Sequence, residues 1–434
     1  RQRQMCIRDR YRDVLLSVFW EYSNDYVYTH DGIFRRRVPP MCQKCGSGMN
    51  YNGYNVYAKK GLGSVKIGRY ICPSCGTGFE EDRGFWERMK SNFFEVVSMM
   101  YRVLRKHHVS YEGISEVMSL VFPRGKDTIL EAFNTSVEEF VVPPLEGFQI
   151  VHYDEQHPKR GRTQKFRLTL LDGVSGRPIA EELFDDKSSE TVKSFLETSL
   201  DTTRPIFIVT DLCPSYPEVF REVFGDNVVH QFCLLHLNKL VVKDFPRKTT
   251  LAQEHVKYRL LDIFYNREPE LHFLRQALEE EACETWDKTQ HYFWAKDKKK
   301  EFNKFLHEQE LARRRNKQNL EQRTYLDSWK RLNKLLGEID TFDEPVQKRL
   351  RMIQRNWKHL TAFHFVEDAP ATNNKIENYY STSLKTHQKK QYRTDRGIKN
   401  QMKLAHIQRA KTHDEEHQTL LQAFQKFAPF LDHG

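Results

Sequence analysis

The sequence predicts an α/β protein built on one helix-layered sheet, preceded by a cysteine-anchored module and a helical unit. Three observations carry this. Two Cys-x-x-Cys pairs, Cys42/Cys45 and Cys72/Cys75, lie near the start. Between residues 148 and 232 short apolar runs alternate with single amphipathic stretches, the pattern of strands and covering helices. Residues 241–366 then keep helical spacing almost throughout.

The cysteine module comes first. "MCQKCGSGM" and "RYICPSCGTGF" each follow their Cys-x-x-Cys with glycine, and 26 residues separate Cys45 from Cys72. Glycine lets the chain fold back tightly so that backbone N–H groups approach the thiolates. The spacing predicts a four-cysteine zinc ribbon over 41–82, with a redox pair as the alternative. Four thiolates leave no open position, so such a zinc is structural. Residues 1–40 form a separate N-terminal segment, and its first ten, "RQRQMCIRDR", resemble translated sequencing adaptor and suggest a truncated start.

Residues 90–142 read as three short helices. "NFFEVVSMMYRVLRKH" puts Phe94, Val97, Tyr101 and Leu104 on one face, and two further helices follow. This suits a helix-turn-helix-like DNA-binding unit, and equally a small three-helix bundle without that role. "VVPPLEGF" is a linker.

The α/β part begins at 148. "FQIVHYDEQ" is a strand carrying Asp154. "KFRLTLLDGVSGRPIAEELF" is a hairpin turning from Asp172 to Gly176, and "SSETVKSFLETSL" a capped helix. "RPIFIVTDLCPSYPEVF" is a buried strand ending in Asp211, and "NVVHQFC" a last strand before helix. Residues 148–240 form this first part, 241–366 a helical block, 367–412 the closing helices and 413–434 a tail.

Size and charge bound the function. The chain has 434 residues, 39% of them hydrophobic, enough for roughly two to four domains. No apolar run approaches the ~18–20 residues of a membrane span, and no secretory signal is legible. Net charge is +10, concentrated where nine Lys or Arg between Lys385 and Lys411 meet one acid, Asp395. Such a stripe favours a polyanion, most simply nucleic acid, over a merely solvated face.

Asp154 and Asp211 both end apolar strands. On parallel neighbours they would emerge at one sheet edge, where two carboxylates repel unless a hard cation such as Mg2+ or Mn2+ lies between them. Glu377, at a helix start, could complete the set. Each has a bland reading: strand-end aspartates cap turns, and Asn374 with Glu377 has the capping-box spacing. Glu155, Asp172, Asp185, Asp186, Glu367 and Asp368 compete, and spacing does not choose among them.

The order "HYDEQ", "IVTDLCPSYPEVF", "FCLLHLNK" and "ATNNKIENYYSTSLK" resembles the DDE transposases of the Mutator-like group and related prokaryotic insertion-sequence transposases, over about residues 148–411. The resemblance implies an RNase H-like catalytic core interrupted by an all-helical insertion. It assigns Asp154, Asp211 and Glu377 to two catalytic Mg2+ or Mn2+ ions, and matches the family's Cys-x-x-His element, of uncertain role, to Cys233 and His236. It implies metal-dependent cleavage and strand transfer on double-stranded DNA, both transposon ends and target, by a multimer on DNA. Lys385, Lys389, Lys390, Arg393, Arg396 and Lys399 would meet DNA phosphates. In a prokaryote the protein would be cytoplasmic and nucleoid-associated. His230, Cys233 and His236 could instead hold a metal, and Trp357 could stack on an unpaired base, but packing with Leu360 and Phe363 is the plainer role. The rival functions are a nuclease without strand joining, a DNA-binding protein that no longer cuts, and a zinc-ribbon RNA-binding protein.

Overall fold

The computed structural model describes residues 26–410 except 30, 60–62, 82–99, 120–124, 143–144, 148, 159–164, 285–295, 385–388, 390–391 and 393. The chain divides into two compact units, residues 1–143 with 393–434, and residues 144–392. The expected closing segment 367–412 is therefore split, and the expected tail 413–434 lies outside the described residues.

The first unit holds β1 (Tyr26–Tyr28), β2 (Ile33–Arg36), β3 (Asn50–Lys59), β4 (Gly63–Ile71) and β5 (Gly78–Glu80). They form a mixed sheet in the order β1-β2-β4-β3, with β5 also on β4. Phe34, Ile67 and Tyr70 are its buried side chains. Tyr70 Oη accepts the Arg36 N–H at 2.8 Å, and Arg36 pairs with buried Glu81.

The same unit contains helical residues 100–106, α1 (Tyr111–Ser119) and α2 (Lys126–Glu138). Residues 91–99 of the first expected helix lie outside the described residues. Tyr101, Ile114, Met118, Ile129, Phe133 and Val137 share a core with Leu404 and Ile407 of the helix Asp395–Ala410. Sequence order had assigned that helix to the α/β part. Its apolar face instead closes this helical unit, because an amphipathic helix is stable only with its stripe covered.

The second unit is built on β6 (Ile150–Gln156), β7 (Phe166–Asp172), β8 (Pro178–Phe184), β9 (Ile206–Thr210) and β10 (Val228–Phe232), ordered β10-β9-β6-β7-β8. β6 is parallel to β9, β9 to β10, and the β6-β7-β8 pairs are antiparallel. The hairpin turns where its sequence predicted: Asp172 Oδ2 accepts the Ser175 N–H, and Gly176 has φ 68°.

Helices α3 (Ser189–Ser199) and α4 (Tyr216–Phe224) pack on one face, against Val151, Tyr153, Ile206 and Ile208. Ser188 caps α3 by accepting the Thr191 N–H. The opposite face, with Ile150, Phe207 and Val209, is covered by α5 (Leu234–Lys243) and by helices of the block that follows. Cover on both sides explains why every residue of β9 is buried.

That block comprises α6 (Leu251–Leu261), α7 (Glu268–Glu284), α8 (Lys296–Arg315), α9 (Tyr325–Gly337), α10 (Glu344–Arg355) and α11 (Trp357–Leu360). Thr250 and Gln253 make a capping box at α6. Phe302 of charge-rich α8 is buried against Tyr258 and Leu274. Trp357 lies in the main core with Leu360 and Phe363, its Nε1–H donating to Tyr325 Oη at 3.2 Å. After it comes α12 (Asn374–Ser383).

Candidate active site

Strand parity organises the site. Side chains alternate across a strand, so Ile150, His152 and Asp154 share the face opposite Val151 and Tyr153. On β9 the same period puts Phe207 and Val209 on that face, and Asp211 follows in phase. The parallel register ends at the pair His152 and Val209, two residues before Asp154 and Asp211 on their respective chains. Glu155 projects to the other side, where its Oε1 accepts from Tyr153 Oη at 3.0 Å and Tyr216 Oη at 2.6 Å. Lys187 holds its second oxygen at 3.1 Å.

Three of the other competing acids have structural partners, while Glu367 and Asp368 are exposed. Asp172 caps the hairpin turn, Asp185 pairs with Lys165, and Asp186 accepts from Ser188 and Thr191 ahead of α3.

α12 is fastened beside Asp154. Asn373 Nδ2 donates to the Tyr153 carbonyl at 3.0 Å, and the Tyr380 hydroxyl donates to the Asp154 carbonyl at 2.7 Å. Asn373 Oδ1 can only accept, so His152 Nδ1 carries the proton between them, at 2.7 Å. Burial holds the His152 imidazole down at about 4, in its neutral form. The Asn373 N–H donates to Cys233 Sγ at 3.1 Å, and the Leu234 N–H donates to the Ala371 carbonyl at 3.0 Å.

A second anchor lies deeper. Buried Arg167 donates to Glu181 Oε1 at 2.7 Å, Gln156 Oε1 at 2.9 Å and Ser383 Oγ at 2.9 Å. The Tyr379 hydroxyl donates to Glu181 Oε2 at 2.9 Å. This network joins α12 to β6, β7 and β8, and it satisfies an ion pair that would be costly to bury alone.

The expected capping box is absent. The N-cap is Asn373, without a side-chain cap bond, and Asn374 is the first helical residue. The Asn373 side chain is committed to β6, which frees Glu377 for other partners. Its Oε1 lies 3.1 Å from Lys239 Nζ and 3.4 Å from His236 Nε2, both on α5.

The two aspartates sit in a strained electrostatic setting. Burial pushes Asp154 up to about 7, and the charges of Asp211, Glu155 and Glu377 push the same way, against the Glu155 N–H its carboxylate accepts. Burial also raises Asp211, against the Cys213 N–H that it accepts at 3.2 Å. The oxygens of Asp154, Asp211 and Glu377 are not gathered into one tight cluster. Among the described residues, the group of three or more ligand-type side chains whose ligating atoms lie within 4.8 Å of one another is Cys42, Cys45, Cys72 and Cys75.

That cysteine cluster can hold a structural zinc. Cys45 Sγ is 3.4 Å from Cys72 Sγ, and Cys42 Sγ is 3.6 Å from Cys75 Sγ. The two knuckles repeat each other: the Gly46 N–H donates to the Cys42 carbonyl and the Gly76 N–H to the Cys72 carbonyl, at 2.8 and 2.9 Å. Gly46 and Gly76 have φ of 72° and 71°, a region that favours glycine.

Cys233 and His236 both contact α12 or its cap, and among the described residues they belong to no group of three metal-ligating side chains. His230 Nε2 meets Thr210 Oγ1 at 2.9 Å and is buried. The basic stripe is divided. Lys385, Lys390 and Arg393 lie outside the described residues. Lys389 Nζ donates to the His157 carbonyl at 2.9 Å. In the other unit Arg396 is engaged by Glu131 and Glu138, and Lys399 is exposed on the helix Asp395–Ala410. Sequence reasoning missed His152, Arg167, Lys239, Asn373 and Tyr380. Only "TNNK" hinted at one, and the wrong asparagine was read as the cap.

Among the described residues no helix is long and apolar enough to cross a membrane. No family model matches the chain. It is 24% identical over 284 residues to "Insertion element ISM1 uncharacterized 48.3 kDa protein" of Methanobrevibacter smithii, across 61% of this chain and 67% of that protein. The chain is thus distantly similar to a protein of an insertion element.

Proposed function

We propose that this chain is a DNA transposase of the DDE type, with an RNase H-like core in which Asp154, Asp211 and Glu377 bind Mg2+ or Mn2+. The observation that carries the reading is that β6 and β9 run parallel in register up to His152 and Val209, two residues before Asp154 and Asp211, with the Glu377 helix fastened to the Asp154 backbone. The sheet order, antiparallel on one side of β6 and parallel on the other, supports the fold assignment. Similarity to an insertion-element protein supports the function.

The donor set fits a hard cation. It consists of carboxylate oxygens, and burial opposes the charged form of both aspartates, with the charge of Asp211 adding to it for Asp154 and that of Glu155 for Asp211, a burden that a divalent ion relieves. When bound, such ions neutralise charge on the scissile phosphate and align attacking and leaving oxygens. The protein's own part is positional. Backbone N–H groups of Glu155 and Cys213 orient the aspartates, while Asn373 and Tyr380 set the height of α12 on β6. Glu377, now paired with Lys239, would turn to the ion when one is bound. The reaction is strand cleavage by water, then attack of the freed 3′-hydroxyl on target DNA, with rate arising from positioning and charge rather than a protein nucleophile. The ribbon and the helix-turn-helix-like unit would recognise element ends, with a multimer assembling on them.

Purified protein is tested with Mg2+ or Mn2+ on DNA carrying its element ends. Asp154→Asn, Asp211→Asn and Glu377→Gln each abolish cleavage and leave DNA binding intact. Normal cleavage by Glu377→Gln removes that residue from the site. Cleaved but never joined products identify a nuclease, and inactivity of the unaltered chain with every metal identifies a binding protein.

A further inference from the structure

Away from the carboxylates, α6, α7 and α9 enclose a cavity of about 490 Å³. Five cations line it, Arg259, Arg275, Lys330, Arg331 and Lys334, against three carboxylates. Each carboxylate is already answered by an arginine. Glu338 accepts from Arg259 at 2.8 Å, Glu268 from Arg275, and Asp262 from Arg331. The two lysines are left over. They stand one helical turn apart on α9, both exposed, and among the described residues neither has a carboxylate partner.

His255 also lines the cavity, and its imidazole is held below its usual range by burial and then by Arg259 and Arg275. Leu271 and Leu335, both buried, also line the cavity, so the charges are set among some apolar surface. Ion-paired arginines keep a fixed geometry and retain N–H groups for a second acceptor. Lysines one turn apart, about 5–6 Å between Cβ atoms, can close on one tetrahedral anion.

We propose that this cavity is a phosphate-binding site, with Lys330 and Lys334 gripping the phosphate and the paired arginines shaping the wall. Phosphate can come from a DNA strand or from a free phosphate compound, and the chemistry of recognition is the same.

The experiment uses the full chain, with duplex DNA in a salt series and inorganic pyrophosphate by calorimetry. The double variant Lys330→Gln/Lys334→Gln is compared with Lys348→Gln/Arg355→Gln, which removes the same charge from α10. The first pair is expected to lower DNA affinity about tenfold at 0.1 M salt and flatten the salt slope by about 2, the second to change affinity less than about twofold. Loss of pyrophosphate binding confined to the first pair assigns a free phosphate compound, and a DNA effect alone assigns the backbone. Either result supports the site. The DNA arm rests on the proposed DNA binding, so if the unaltered chain binds no DNA, the pyrophosphate arm decides. The proposal is overturned if the first pair keeps the unaltered affinity for both probes, or loses no more than the second.

Discussion

The side-chain amide of Asn373 donates to the main-chain carbonyl of Tyr153 at 3.0 Å, one residue before Asp154. The same side chain accepts from His152, and its own N–H donates to Cys233. One residue thus ties α12 to β6 and to the start of α5. Replacing Asn373 by alanine leaves buried polar groups unpaired, which costs about 2–3 kcal/mol. Urea unfolding measures that loss. Cleavage should fall further than the folded fraction does, because Glu377 loses its register against Asp154. Activity that merely tracks the folded fraction would argue that Asn373 has no positioning role.

Asp154 gives the fold a pH signature when divalent metal is absent. Its folded pKa is pushed up to about 7, above the unfolded carboxylate value near 3.8. Between those values the folded state binds more protons than the unfolded one, so stability declines as pH rises. The contribution is fully present below about pH 4 and gone above about pH 7, and amounts to roughly 2–4 kcal/mol. Asp154→Asn should flatten this decline in EDTA and be the more stable protein at pH 8. Unfolding curves from pH 4 to 8 test it, and equal slopes for the two proteins would refute it.

Lys239 and Glu377 form a half-exposed pair at 3.1 Å. Exposed pairs contribute about 1 kcal/mol or less, so Lys239→Met should barely alter stability. It should, however, reduce the Mn2+ concentration that gives half-maximal cleavage, since a competing cation is gone. A metal titration of cleavage rate measures this, and an unchanged or higher midpoint counts against the competition.

The four cysteines predict one zinc per chain. Cys72→Ser, or treatment with a strong chelator, should release it and open residues 41–80 to protease. Elemental analysis and the sites of the first cuts provide the readout. Full protection in a zinc-free protein would mean that the ribbon is held by its sheet alone.

Arg396 stood among the expected DNA contacts, yet its guanidinium is shared between Glu131 and Glu138. Those bonds, with that of Asn400, hold the Glu138 carboxyl down at about 2. Arg396→Ala should lower the melting temperature of the helical unit while leaving DNA affinity nearly unchanged. A large loss of DNA affinity in a protein that melts normally would restore it as a phosphate contact.

Features that depend on spacing and period were legible in the residues before any folding was known. Glycine after each Cys-x-x-Cys set the knuckles, the alternation along "FQIVHYDEQ" and "IFIVT" gave each strand its two faces, and Ser188 capped its helix as its position predicted. These are local properties, fixed by backbone geometry within a few residues. Tertiary structure alone decided the partners of long side chains. It gave the cap position to Asn373 and turned that side chain onto β6, gave Glu377 to Lys239, and drew Arg396 and the helix Asp395–Ala410 into the other unit. The reason is physical: a hydrogen bond or ion pair forms with the element that packing brings alongside, and residues more than two hundred positions away, as Tyr153 is from Asn373, leave no trace in local pattern.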